Sequence, residues 1–189
     1  RYFVCNSCLG GSSIGGKNQK PFQGKVDYDY IMWIDSDQVF KPEDFFNLLN
    51  KAKETNVSIL SGLYLMQGGD FFATVEDWDK DFFKKNGFFR FLSPEDVSNR
   101  KQIFKVSYTG FGWLLVKKGV FESLEYPWVQ PTWFDEDGIY EMTTTDCGFM
   151  HRAAEKGHYT YIDPTIIVGH EKSEILMVDP QNLEPKIDF

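Results

Sequence analysis

The sharpest pattern along the chain is the uninterrupted apolar run Tyr30-Ile31-Met32-Trp33-Ile34, broken at once by Asp35-Ser36-Asp37. An apolar run without alternation predicts a strand buried on both faces of a parallel or mixed sheet, with the acids at its C-terminal end. Pro42-Glu43-Asp44 follows, with proline at a first-turn position and acids near the positive end of a helix dipole. Phe45, Phe46, Leu48, Leu49 and Ala52 continue at helical spacing, so a helix to about Glu54 is predicted.

Residues 57–65 read as another strand, running into Gly68-Gly69, and residues 104–108, 113–116, 159–162 and 166–168 as further strands. Residues 146–156 read as a helix stopped by Gly157. Tyr2 to Cys5 is a β-favouring stub that leads into the small-residue loop Gly10 to Gly16. Residues 70–105 mix aromatic and charged positions without a clean period, which predicts an irregular or hairpin insert with a short helix start at Ser93-Pro94-Glu95-Asp96. The acidic tail from Glu171 carries little periodic signal. Strands alternating with helices predict an α/β fold.

The length of 189 residues suits one domain over 1–189 with a genuine core. Apolar residues make up 42% and charged ones 25%, which sets the chain apart from disordered and low-complexity sequences. A net charge of -8, from 28 acids against 20 bases, offers no basic footprint for a polyanionic backbone, so nucleic acid is not an expected partner. A bound metal could still recruit an anionic ligand. No stretch approaches the roughly 18 apolar residues of a membrane span, and the first residues lack a signal-peptide layout, so a soluble, cytoplasmic protein is expected. The sequence begins with Arg1 and not Met, which predicts a processed or partial chain. Cys5, Cys8 and Cys147 are an odd number and propose no disulfide framework. The Cys5-x-x-Cys8 pair lacks the second pair that zinc needs, so all three are read as reduced, structural thiols.

Asp35-Ser36-Asp37 is the candidate for chemistry. Two acids one residue apart, where a strand ends and the chain turns, can both reach a cation, and hard oxygen ligands suit Mg²⁺ or Mn²⁺ bridging to substrate phosphates. In open α/β sheets, ligands bind beyond the carboxyl ends of the strands. The bland alternative is a solvated turn with a capping side chain. Asp146 follows Thr143-Thr144-Thr145 at a helix start, where a carboxylate can accept a proton or merely cap. His170 follows Ile166-Ile167-Val168-Gly169, and neutral imidazole is a good ligand for Mn²⁺-type metals. His151 and His158 are assigned no functional role.

Five blocks occur in order: Tyr28 to Asp37, Gly110-Phe111-Gly112-Trp113-Leu114-Leu115-Val116, Thr145-Asp146-Cys147-Gly148-Phe149, Tyr161-Ile162-Asp163-Pro164, and Val168-Gly169-His170. Together they resemble the GT-A glycosyltransferases, closest to family-2-like members, over roughly residues 28–172. The resemblance implies a Rossmann-like mixed sheet flanked by helices, with the first strand upstream of Arg1 or missing. It implies a UDP- or GDP-sugar donor, with Asp35, Asp37 and His170 holding Mn²⁺ or Mg²⁺ and Asp146 as the base of an inverting transfer to a glycan, lipid or protein acceptor. Ser12-Ser13-Ile14 with Lys17-Asn18 resembles the segment that precedes the D-x-D strand, although an Arg-Asn pair is more usual there. Ser13, Lys17, Asn18, Asp35, Ser36, Gly110 and Gly112 are thereby expected to line the donor site, the glycines letting backbone approach the sugar. Thr145 stands where the family often has Glu.

Two other readings compete. The apolar strand ending in D-x-D also resembles haloacid-dehalogenase-like phosphatases, for which Asp135-Glu136-Asp137 would be the second acidic cluster. A non-catalytic module that binds a glycan or nucleotide sugar is the other, with Trp78, Trp113, Trp128 and Trp133 as stacking platforms.

Overall fold

Alternate residues of the first apolar run face opposite ways: Ile31 and Trp33 pack on one hydrophobic cluster, Tyr30 and Met32 on another. The same division holds at Leu114 and Val116 against Trp113 and Leu115, and at Ile59 against Leu60. A sheet with apolar residues on both faces must be covered on both. The computed structural model describes residues 1–172 and the backbone of 175–178 and 185–188.

Its elements in chain order are α1 (Tyr2–Cys8), β1 (Tyr30–Ile34), β2 (Gln38–Val39), α2 (Pro42–Thr55), β3 (Ile59–Leu63), β4 (Thr74–Val75), α3 (Lys80–Asn86) and α4 (Pro94–Val97). Next come β5 (Phe104–Val106), β6 (Tyr108–Thr109), β7 (Trp113–Lys117), β8 (Trp133–Glu136), β9 (Ile139–Met142) and α5 (Thr145–Glu155). The last are β10 (Thr160–Ile167), β11 (Gly169–His170), β12 (Ile175–Val178) and β13 (Pro185–Asp188). The central sheet has the order β1-β7-β3-β10-β5. Only β3 and β10 run parallel; the other neighbours are antiparallel. The fold is therefore mixed α/β. Leu48 and Ala52 of α2 cover one face, and Cys5 and Leu9, with Phe149, Met150 and Ala153 of α5, cover the other. Among the described residues no helix is long and apolar enough to cross a membrane.

The structure departs from the sequence reading in several places, among them the strand expected over 104–108, which is split into β5 of the central sheet and β6 paired with β4. The stub expected as a strand at Tyr2 to Cys5 is helix α1, whose buried positions are Cys5 and Asn6, with Leu9 just past its end at 1% exposure. The helical spacing of Cys5 and Leu9 decided against the local β preference. Strand β1 lies at the sheet edge, so its residues are only half-buried and Ile34 is exposed, although both faces are covered. The insert over 70–105 contains α3, capped by Asp79 Oδ1 accepting from Phe82 N at 2.9 Å and closed by left-handed Gly87. The two strands expected at 159–162 and 166–168 are one strand, β10, whose register on β3 shifts between Ile162 and Ile167. The acidic tail from Glu171 lies for the most part outside the described residues; within it β12 pairs antiparallel with β13.

The shift in β10 has a local cause. Pro164 lacks an N–H for the ladder. Asp163, 2% exposed, turns back to accept from Thr165 N at 3.0 Å and Thr165 Oγ1 at 2.7 Å. The Ile166 carbonyl then passes close over Gly62 of β3, where a Cβ would stand 2.6 Å from it. Gly62→Ala must push β10 off β3, and over-packing of this kind costs about 1–3 kcal/mol. The urea midpoint should fall accordingly, and an unchanged midpoint would show that β10 has room to move.

Candidate functional site

The acids at the end of β1 are held by backbone contacts. Asp35 N donates to the Gly112 carbonyl at 3.0 Å, and Gln38 N closes the turn on the Asp35 carbonyl at 3.1 Å. The chain then enters β2, which pairs antiparallel with β11 in the register Gln38↔His170 and Val39↔Gly169. Glu171 N adds a bond to the Asp37 carbonyl at 2.7 Å. This ladder brings together residues that are distant in sequence, and His170 Nε2 stands 3.1 Å from Asp37 Oδ2.

The other ring nitrogen, Nδ1, lies 2.6 Å from the Leu65 carbonyl. A carbonyl only accepts, so Nδ1 carries the proton and Nε2 turns toward Asp37. The Lys172 ammonium lies 3.0 Å from Asp37 Oδ2 and 2.5 Å from His170 Nε2. The hydrogen bond from Lys172 holds the Asp37 carboxyl below its usual range, with burial opposing.

Asp146 occupies the first turn of α5, after Thr144, whose Oγ1 accepts from Cys147 N at 3.4 Å. It is 8% exposed. Its Oδ2 accepts from Arg1 at 2.5 Å and from Phe111 N at 3.4 Å, and its Oδ1 accepts from Thr145 Oγ1 at 3.0 Å. The same guanidinium forms an ion pair with Asp35, so Arg1 bridges the D-x-D acid and the helix acid. Burial opposes the Arg1 charge, but the carboxylates of Asp146 and Asp35 outweigh it and the guanidinium pKa is raised.

The glycine loop between β6 and β7 packs against Tyr64. Tyr64 Oη accepts from Gly112 N at 3.1 Å, and a Cβ on Gly110 would stand 2.0 Å from that oxygen. The neighbour that requires glycine is therefore a buried tyrosine of the chain itself. Gln38, 8% exposed, lies beside Gly112, and among the described residues neither its amide N nor its O finds a partner. Burial pushes the Tyr64 phenol up, and it stays protonated at neutral pH.

Several expected site residues lie elsewhere. Arg1 sits at the start of α1, which spans about 10 Å at 1.5 Å per residue. Ser13, Lys17 and Asn18 are exposed on the loop beyond its far end, where Lys17 Nζ reaches Glu125 at 3.9 Å and its carbonyl accepts from Tyr126 N. Ser36 is exposed on the turn itself. Asp137 and Glu136 bind Lys80 at 2.6 and 2.8 Å on the β8–β9 hairpin, and among the described residues they join no group of three or more His, Cys, Asp or Glu side chains that could hold a metal. Trp113 and Trp128 are fully buried and offer no platform; Trp133 is exposed and stacks on Tyr140 at 4.6 Å. All three cysteines are free thiols, and burial, with Asp146 adding, pushes Cys147 up to about 12.

Sequence reasoning missed Arg1, Tyr64 and Lys172. For Lys172 a signal was present, since positions 170 and 172 share one side of an extended chain. For Arg1 the signal was the helical spacing of Cys5 and Leu9. Nothing local marked Tyr64.

Among the described residues no group of three or more His, Cys, Asp or Glu side chains stands close enough to hold a metal. The donor set nonetheless fits a divalent cation in part. A carboxylate and an imidazole nitrogen converge at 3.1 Å, and a cationic ammonium stands against both. Asp35, two residues before Asp37, is drawn off by Arg1. Mg²⁺ and Mn²⁺ are commonly held by one or two protein ligands with water and substrate phosphates completing the shell.

No family model and no curated protein matches the chain. Among solved structures, one described as "Crystal Structure of A197 from STIV" is similar over 86% of this chain and 68% of that one, at 16% identity and a TM-score of 0.49.

The glycine loop allows a test of what fills the space beside it. Gly110→Ala should lower stability by about 1–3 kcal/mol. In Gly110→Ala with Tyr64→Phe the nearest ring atom recedes to 3.2 Å, so the two losses should add to less than their sum. Full additivity in urea unfolding would remove Tyr64 as the reason for glycine there.

Proposed function

We propose that the protein is a GT-A-like glycosyltransferase that moves a sugar from a UDP- or GDP-sugar to an acceptor hydroxyl, with Mn²⁺ or Mg²⁺ as cofactor. The observation that carries the reading is the meeting of His170 with Asp37 at the C-terminal end of an apolar strand, across 133 positions of sequence. The sheet is mixed α/β, and its strand ends are where ligands bind in such folds. Asp37 and His170 would hold the metal, with Asp35 completing the set once released from Arg1. A bound divalent ion would supply positive charge to offset that developing on the leaving diphosphate.

The chain's own residues have definite tasks. Arg1 and Lys172 are the cations nearest the acids, and both can turn to phosphate oxygens. In the transfer, the acceptor oxygen bonds to the anomeric carbon as that carbon's bond to the diphosphate oxygen breaks. The electron pair leaves with the nucleoside diphosphate, and the acceptor's proton passes to Asp146. Arg1 fixes the Oδ2 of that carboxylate by a hydrogen bond.

Calorimetry on the intact chain should show nucleotide-sugar binding that requires Mn²⁺, lost in Asp35→Ala with Asp37→Ala. Undiminished binding in that double variant would remove the metal assignment. Asp146→Asn should leave donor binding in place and lower transfer by roughly 10²- to 10⁴-fold. One observation favours the non-catalytic module: both Asp146 oxygens already have partners within the chain. Donor binding without transfer in the unaltered protein would decide for it.

A further inference from the structure

Beside Asp146 lies a cavity of about 260 Å³ that the glycosyl-transfer reading does not use. Its wall is a preformed aromatic cluster: Trp78 and Phe83 meet Phe89 at ring separations of 4.7 and 4.6 Å, and Phe134 meets Trp78 and Phe89 at 5.8 and 5.6 Å. Thr144 and Cys147, the residues that bracket Thr145 and Asp146, line it from the start of α5. The carboxylate on the lining itself is Glu141, and Asp146 is the chain neighbour of the lining residue Cys147.

The polar groups on the lining decide what that molecule is. Thr143 Oγ1 is already engaged, donating to the Thr132 carbonyl at 3.0 Å and accepting from Thr132 N at 2.9 Å. Thr144 Oγ1 caps α5. Glu141, whose Oε1 accepts from Met142 N at 3.1 Å, is the lining carboxylate, Tyr108 adds a hydroxyl, and among the described residues no lysine or arginine lines the cavity. A sugar ring would bring several hydroxyls to a wall that can satisfy one or two, and each one buried without a partner costs about 1–3 kcal/mol. A phosphate or carboxylate would face Glu141 with no cation to balance it. Aromatic edges and faces, by contrast, match one more aromatic ring. The volume falls below the 300–1,000 Å³ typical of drug-sized pockets, so one ring fits and a long lipid chain does not.

We infer that this cavity is the acceptor subsite and that the acceptor is a small uncharged aromatic alcohol, its ring against Trp78 and Phe89 and its hydroxyl at the Thr144–Cys147 end of the lining, next in the chain to Asp146. The inference rests on the transferase reading for the word acceptor, whereas the cavity's ligand class stands on its own walls.

The test uses 4-fluorobenzyl alcohol as probe, followed by fluorine-19 NMR on the intact chain without donor or metal. Saturable binding is expected, displaced by benzyl alcohol and not by methyl glucoside. Cys147→Met, which fills the cavity, should weaken it at least roughly tenfold. Phe88→Ala, which trims a lining ring that is 54% exposed and so tolerates removal, should weaken it also. Absence of saturable binding, displacement by methyl glucoside, or Cys147→Met binding as tightly as the unaltered chain with both folded would overturn the ligand class. With a UDP- or GDP-sugar and Mn²⁺ added, mass spectrometry should find the glycosylated probe. Binding of probe and donor without that product would overturn the acceptor role alone. Loss of donor binding would count against the transferase reading and leave the ligand class intact.

Discussion

The short ladder between Gln38–Val39 and Gly169–His170 is the constraint on which the candidate site depends. Two residues on each strand, reinforced by Glu171 N on the Asp37 carbonyl, fix the turn after β1 against the segment after β10. Without it, Asp37 would be an exposed turn carboxylate and His170 a strand-end histidine. The ladder in turn depends on where β10 delivers the chain, which the irregularity at Asp163-Pro164-Thr165 and the close pass over Gly62 decide. A packing detail in the middle of the sheet therefore sets the geometry at its end.

Charge balance is the second theme. Three carboxylates, Asp35, Asp37 and Asp146, gather in a chain that is acidic as a whole, and the structure answers with Arg1 and Lys172 placed against them. Arg1 uses its planar fork to address two acids at once, a task a lysine performs poorly. The two cations divide the site: Lys172 serves the D-x-D acid that meets the imidazole, and Arg1 serves the acid on α5. This arrangement holds like charges together at one end of the fold.

Most of the architecture was legible because periodicity reports burial directly. The unbroken run at 30–34 announced a strand covered on both faces, and Pro42 with Leu48 and Ala52 announced the helix that covers one of them. The aromatic insert was not legible: at 78–91 the rings serve a local cluster around Phe89, which imposes no regular repeat. Helix α1 was misread because Tyr2, Phe3 and Val4 are exposed, so the local preference of these residues said nothing about the face that packs.

The chemistry-bearing residue types, their order, and the strand end that carries the first two acids were written in the chain itself, because an apolar run cut by charge leaves few alternatives for where it ends. Which partners those residues meet was not. Arg1 on Asp35 and Asp146, Tyr64 filling the space beside Gly110, and the exclusion of Ser13, Lys17 and Asn18 all depend on how helices and strands come to lie across one another. Contacts between positions far apart along the chain follow from packing a core with no voids, and no local pattern carries that information.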